Sequence, residues 1–199
     1  MAQLDLKTGA YKTSFSPATL TADRTITLPD GDVTLATGTM LTSADISETD
    51  QWRLTTTFTS DANPITSNLE RNDTSGFSVL GTGMTEASGL FTFPSTGYWL
   101  ITAIAQWDND NSGSTDATAQ ILINITLDNS AYAEVAKGAD QVAASGNQGH
   151  SMCNFLFDVT STTLCKCSFG TSSHASNTRL VGSSTVNQTH FTFLKLAGT

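Results

Sequence analysis

The chain has 199 residues, of which 38% are hydrophobic and only 14% charged, and 18 acidic against 9 basic residues leave a net charge of -9. That is too little charge for a disordered, self-repelling chain, and no apolar run approaches the ~18 residues of a membrane helix. No Lys stands between Lys12 and Lys137 and no stretch clusters basic with aromatic residues, which excludes nucleic acid and an anionic membrane surface as partners.

Thr and Ser make up roughly a quarter of the chain, while Lys, Glu and Arg are scarce. That composition suits pleated strands better than helices, so an all-β protein is expected. The first twenty residues carry Asp5, Lys7 and Lys12 without an apolar block, so no secretory leader is expected. Residues 20–35 read as a small hairpin. Ile26 and Leu28 alternate with Thr25 and Thr27, Val33 and Leu35 alternate with Asp32 and Thr34, and Pro29-Asp30-Gly31 forms the turn. A lone hairpin buries too little surface to stand in water, so Ile26, Leu28, Val33 and Leu35 are expected to attach to a partner. Residues 36–43 read as a linker, which sets residues 1–46 apart as an arm and 47–199 as a head domain.

From about Asp50 onward, short strands follow one another. They are expected at 51–59, 77–80, 90–93, 98–107, 119–127, 131–135, 151–159, 164–169 and 190–196. The run 98–107 is apolar on both faces at first, as a central strand covered on each side should be. In 119–127, Ile121, Ile123, Ile125 and Leu127 share one face. No segment keeps a 3.6-residue period over three turns. About eight to ten strands with turns between them predict a β-sandwich or jelly roll.

The block Gly89-Leu-Phe-Thr-Phe-Pro-Ser-Thr-Gly-Tyr-Trp-Leu-Ile-Thr-Ala resembles the signature of the complement C-one-q and tumour-necrosis-factor superfamily. The opening Trp52-Arg-Leu-Thr and the closing His190-Phe-Thr-Phe-Leu-Lys-Leu are similar to that family's first and last strands. The resemblance implies a ten-strand jelly roll assembled as a homotrimer around side chains on one sheet. It thereby puts Trp52, Leu54, Phe191 and Phe193 at a subunit interface. The even cysteine pairs and collagen stalk of secreted relatives are missing. The segment Ser16–Leu35, with its Leu-Thr-Ala-Asp-Arg-Thr-Ile-Thr-Leu-Pro-Asp core, resembles segments common in bacteriophage fibre and virion structural proteins. Together the two resemblances imply a tailed-phage structural protein on the particle surface, anchored through its arm to the major capsid protein or another virion protein.

Candidate chemistry is sparse. Asp108, Asp110, Ser112 and Asp116 sit in a D-x-D-x-S-G pattern that matches the first half of a calcium loop, where alternate positions supply oxygen ligands. The twelfth position is Ala119 instead of a bidentate Glu, so a solvated acidic loop is the competing reading. No cofactor is expected otherwise. Cys153, Cys165 and Cys167 are odd in number and confined to the last quarter, which points to free, partly buried thiols. His150, His174 and His190 stand alone, and neither G-x-S-x-G nor S-x-x-K occurs, so no enzyme is expected. The expected role is a homotrimeric capsid decoration (cement) protein or short head spike. The alternatives are the receptor-binding tip of a short tail fibre reading a host surface glycan, and a free complement-type adhesin or lectin.

Overall fold

A computed structural model describes residues 4–8, 11–15, 46–109, 118–142, 145–173 and 178–198. The chain divides into two compact units, Met1–Leu41 and Thr42–Thr199. In the first, β1 (Leu4–Thr8) and β2 (Tyr11–Phe15) form an antiparallel pair in which Leu4 faces Phe15 and Thr8 faces Tyr11. The hairpin expected at 20–35, with Ile26, Leu28, Val33 and Leu35, lies outside the described residues, as do Asp110, Ser112 and Asp116.

The second unit is a sandwich of two antiparallel sheets. It contains β3 (Thr49–Leu54), β4 (Leu69–Arg71), β5 (Thr85–Ala87), β6 (Leu90–Thr92), β7 (Gly97–Asn109), β8 (Ala119–Thr126), β9 (Ala133–Asp140), β10 (Gln148–Val159), β11 (Lys166–Ser172), β12 (Thr178–Leu180) and β13 (His190–Ala197). One sheet runs β10-β7-β13-β3-β4, with β12 also on β7, and the other runs β5-β6-β11-β8-β9. The segment 77–80 forms no strand; only Leu80 makes a single bridge, to Thr49. It carries no run of alternating inward residues long enough to hold a ladder. The three-residue strands β4, β5 and β12 are too short to leave a period in the sequence.

Alternation places the core. In β7 every second residue from Trp99 to Trp107 is fully buried, and β13 turns Phe191 and Phe193 the same way. From the facing sheet come Phe91, Ile121, Ile123, Cys167 and Phe169. The rings meet in an interlocked set. Phe169 stacks on Phe191 with centroids 3.9 Å apart and an interplanar angle of 13°, and Phe91 meets Phe169 edge-on at 5.4 Å. Leu127, expected to share the face of the three isoleucines, lies beyond the end of β8 and is 63% exposed.

Along one side of the sandwich β9 packs against β10. Gly138 makes this approach feasible, because a Cβ there would stand 2.3 Å from the Met152 carbonyl oxygen.

Two buried charges fix the start of the head. Asp50, 1% exposed, accepts hydrogen bonds from Trp52 Nε1 (3.0 Å), the Met84 amide (2.8 Å) and Arg71 Nε (3.1 Å). Arg53, 0% exposed, donates to Glu70 Oε2 (3.0 Å), Asn72 Oδ1 (3.2 Å) and Thr74 Oγ1 (2.8 Å), and pairs with Asp73. Buried charges are tolerated only when partnered in this way.

Replacing Phe169 with Ala removes the ring that both Phe91 and Phe191 touch, so it is expected to cost about 3–5 kcal/mol. Urea unfolding should show this as a lower midpoint at unchanged slope.

Candidate functional site

The strands that bury Trp99, Ile101, Phe191 and Phe193 turn their alternate side chains outward, and the ladder register aligns these into rows. Leu156, Leu100, Leu194 and Thr49 form one row across β10, β7, β13 and β3. Asn154, Thr102, Thr192 and Gln51 form the next, and Met152, Ile104, His190 and Arg53 the third. Tyr98 lies beside the first row. Met152 is 58% exposed, Leu156 53% and Tyr98 42%, whereas Leu100, Ile104 and Leu194 are half-buried. Apart from His190 and the fully buried, ion-paired Arg53, these three rows hold no ionisable side chain. The carboxylates of this outer face stand at its margins, with Asp158 opposite Tyr98 and Glu70 beside Arg53.

This geometry corrects the expected interface residues. Leu54, Phe191 and Phe193 are 0% exposed and pack inside the sandwich, so their side chains have no surface to offer another chain. The outward apolar residues of this sheet are instead Leu194 on β13, Leu100 on β7 and Leu156 on β10. Trp52 is partly buried, with Phe91 edge-on at 5.4 Å and the Arg71 guanidinium 5.0 Å from its ring centroid. It belongs to the inner seam as well. Met152 and Leu156 were legible as apolar positions of a strand, but the sequence does not show which alternate set faces inward.

His190 sits in the third row. Burial holds its imidazole pKa below 6.5, opposed by a backbone hydrogen bond at Gln188, and Nδ1 is buried without a partner among the described residues. Asp108, proposed as a calcium ligand, lies near the end of β7 and is gripped by Arg179 through two contacts of 2.6 and 2.7 Å. Its carboxylate is therefore engaged by a cation already.

The three thiols are free and buried. Burial pushes Cys153 up to about 11 and raises Cys167 further still. Both are poor nucleophiles and poor metal ligands, because the thiolate is the reactive form.

No protein-family model matches the sequence, and no curated protein matches it. Solved structures do match the fold. The chain is similar to murine APRIL, with a TM-score of 0.52 and 10% identity over 75% of this chain and 98% of that one. It is also similar to the Eiger TNF of S. frugiperda, with a TM-score of 0.55 and 10% identity over 76% of this chain and 93% of that one. With two antiparallel sheets and these neighbours, the described head has the tumour-necrosis-factor-like jelly-roll fold. At such identity the likeness carries the fold alone.

The thiols supply a check on the interior. All three cysteines should resist a water-soluble thiol reagent at pH 8 in the native protein and react together once it unfolds. Because the Cys153 and Cys167 pKa values are raised by folding, their contribution to stability is intact below the ordinary thiol value of 9.0 and is lost as the pH climbs above it. Urea midpoints should therefore fall on the alkaline side, and less steeply in Cys167→Ala.

Proposed function

We propose that the chain is a bacteriophage virion structural protein. In this reading it is a homotrimeric capsid decoration or cement protein, or a short head spike, held on the particle surface by its N-terminal arm. The observation that carries the trimer is the outer face of the β10-β7-β13-β3 sheet. Leu156, Leu100 and Leu194 form an apolar row flanked by Asn154, Thr102, Thr192 and Gln51, with Met152 and Ile104 beyond. Surfaces that meet their own copies favour apolar centres depleted of charge, and this face has that make-up. The same face left in water would be an apolar patch of the kind that marks interaction sites.

The virion setting is supported by the segment Ser16–Leu35 and its likeness to phage fibre and virion segments. An extended arm can add strands to neighbouring capsid subunits, so that main-chain hydrogen bonds tie those subunits together. A Thr- and Ser-rich exterior with a net charge of -9 keeps a crowded particle surface soluble. In this reading the role is one of binding and assembly, and burial, which raises the pKa of Cys153 and Cys167, keeps both thiols from acting as nucleophiles.

The trimer has a direct test. Sedimentation equilibrium should give three times the 21.0 kDa chain mass for the wild type. Leu156→Lys combined with Met152→Lys should give the single-chain mass with an unchanged strand spectrum, since both side chains are already more than half exposed. A wild type that stays at 21.0 kDa at high concentration counts against the trimer.

The location is tested on intact particles by immunogold labelling. Dense labels over the head are expected, and removing residues 1–41 should release the head domain from the particle. A few labels confined to the tail would replace the decoration role with that of a host-recognition tip.

A further inference from the structure

The outer face of the five-stranded sheet, opposite in the sandwich to the apolar rows, carries a recess of about 390 Å³ lined by Asn63, Pro64, Leu90, Asn124, Tyr132 and Ser168. Its floor is one row of ladder neighbours: Leu90 on β6, Ser168 on β11 and Asn124 on β8 face one another across consecutive strands. One wall is the segment carrying Asn63 and Pro64, which lies along β11 through Ile65 N to Phe169 O (2.8 Å) and Thr171 N to Ala62 O (2.8 Å). Gly170 lets that segment come down, because a Cβ there would sit 2.3 Å from Asn63 Oδ1. The other wall is Tyr132, between β8 and β9.

The polar groups of this recess are held in place but not used up. Asn124 Nδ2 donates to Asn63 Oδ1 at 2.9 Å, which fixes both amides and leaves Asn124 Oδ1 as an acceptor and Asn63 Nδ2 as a donor. Ser168, 2% exposed, adds a hydroxyl that can donate and accept. The Tyr132 hydroxyl is buried with no hydrogen-bond partner among the described residues. A buried phenol without a partner is costly to the free protein, and such a group beside a recess calls for an explanation. Because Tyr132 lines the recess, a molecule bound there can supply that partner.

We propose that this recess is a binding site for one uncharged pyranose ring, such as the terminal unit of a neutral glycan. Each ring hydroxyl both donates and accepts, which matches the mixed amide and hydroxyl set, and Leu90 and Pro64 supply apolar surface for the C–H face. Among the described residues no charged side chain lines the recess to pair with an ionic group, which suits a neutral ligand, and a net charge of -9 disfavours anions besides. The volume lies at the small end of ligand pockets, which span ~300–1,000 Å³, and suits one ring instead of a chain. The site stands apart from the trimer face and does not depend on the virion reading.

The free protein, isotopically labelled, is titrated with the methyl glycosides of glucose, galactose, mannose and N-acetylglucosamine, and with methyl glucuronide as the anionic control. Saturable amide shifts confined to Tyr132, Ser168, Asn124 and the Asn63 segment are expected with at least one neutral glycoside. Tyr132→Phe should weaken that binding about five- to tenfold, the loss of one hydrogen bond, and should melt no lower than wild type. Ser168→Val, which crowds the floor, should remove the binding, and the Tyr132→Phe result still decides if that variant does not fold. The proposal is overturned if no glycoside gives saturable shifts there, if Tyr132→Phe binds as wild type does, or if the glucuronide binds as well as the neutral sugars. Because binding is read on the free chain, failure here leaves the decoration role standing, and failure of the decoration role leaves the site standing.

Discussion

The stack of Phe169 on Phe191, 3.9 Å between centroids, is the contact on which the sandwich depends. Phe169 belongs to β11 in one sheet and Phe191 to β13 in the other, so this stacked pair joins the two layers, as do the pairs Phe91–Phe193 and Trp52–Phe91. Around it Phe91, Phe93, Phe193, Trp99 and Phe157 meet at 5.2–6.3 Å, mostly edge to face. Aromatic pairs in these geometries add stabilisation beyond the area they bury, and their shapes admit few alternative packings. Once the seam is set, the pleat fixes the direction of every other side chain on β7 and β13. The inward set is spent on the core, and the outward set becomes surface.

That division explains why both candidate surfaces are outer faces. Leu100, Ile104 and Leu194 face outward because Trp99, Ile101, Phe191 and Phe193 face inward. On the other sheet, Cys167 and Phe169 point into the core, and Ser168 and Gly170 are left to form the floor beneath the Asn63 segment. The first face is apolar and broad, as contact with another protein surface requires. The second is concave and mixed in its hydrogen bonding, as a small polar molecule requires. The sandwich keeps these two surfaces on opposite sides.

The buried charges do a different job. Asp50 holds Trp52, Arg71 and Met84, while Arg53 gathers Glu70, Asn72 and Thr74. Neither cluster has the open geometry of a catalytic site, because each charged group is saturated by fixed partners. They tie β3 to β4 and to the start of β5, segments whose strands are too short to hold register by ladder bonds alone.

The sequence by itself determined the class of fold and most long strands. Composition, alternation in 98–107 and 190–196, and the turn at Pro94-Ser-Thr-Gly97 are local properties written along the chain. It also marked the cysteines as free thiols. Only the tertiary structure decided which alternate set of β13 and β3 faces inward. The alternate apolar set Trp52, Leu54, Phe191 and Phe193 has the same period whether the facing sheet or another chain covers it, and the folded sandwich puts the facing sheet there. The recess was likewise beyond reach of the sequence, because Asn63, Leu90, Asn124, Tyr132 and Ser168 are scattered over more than a hundred residues and become neighbours only when β6, β11 and β8 pair. Strand pairing between distant segments has no local signature, so a site built across a sheet exists only once the sheet has formed.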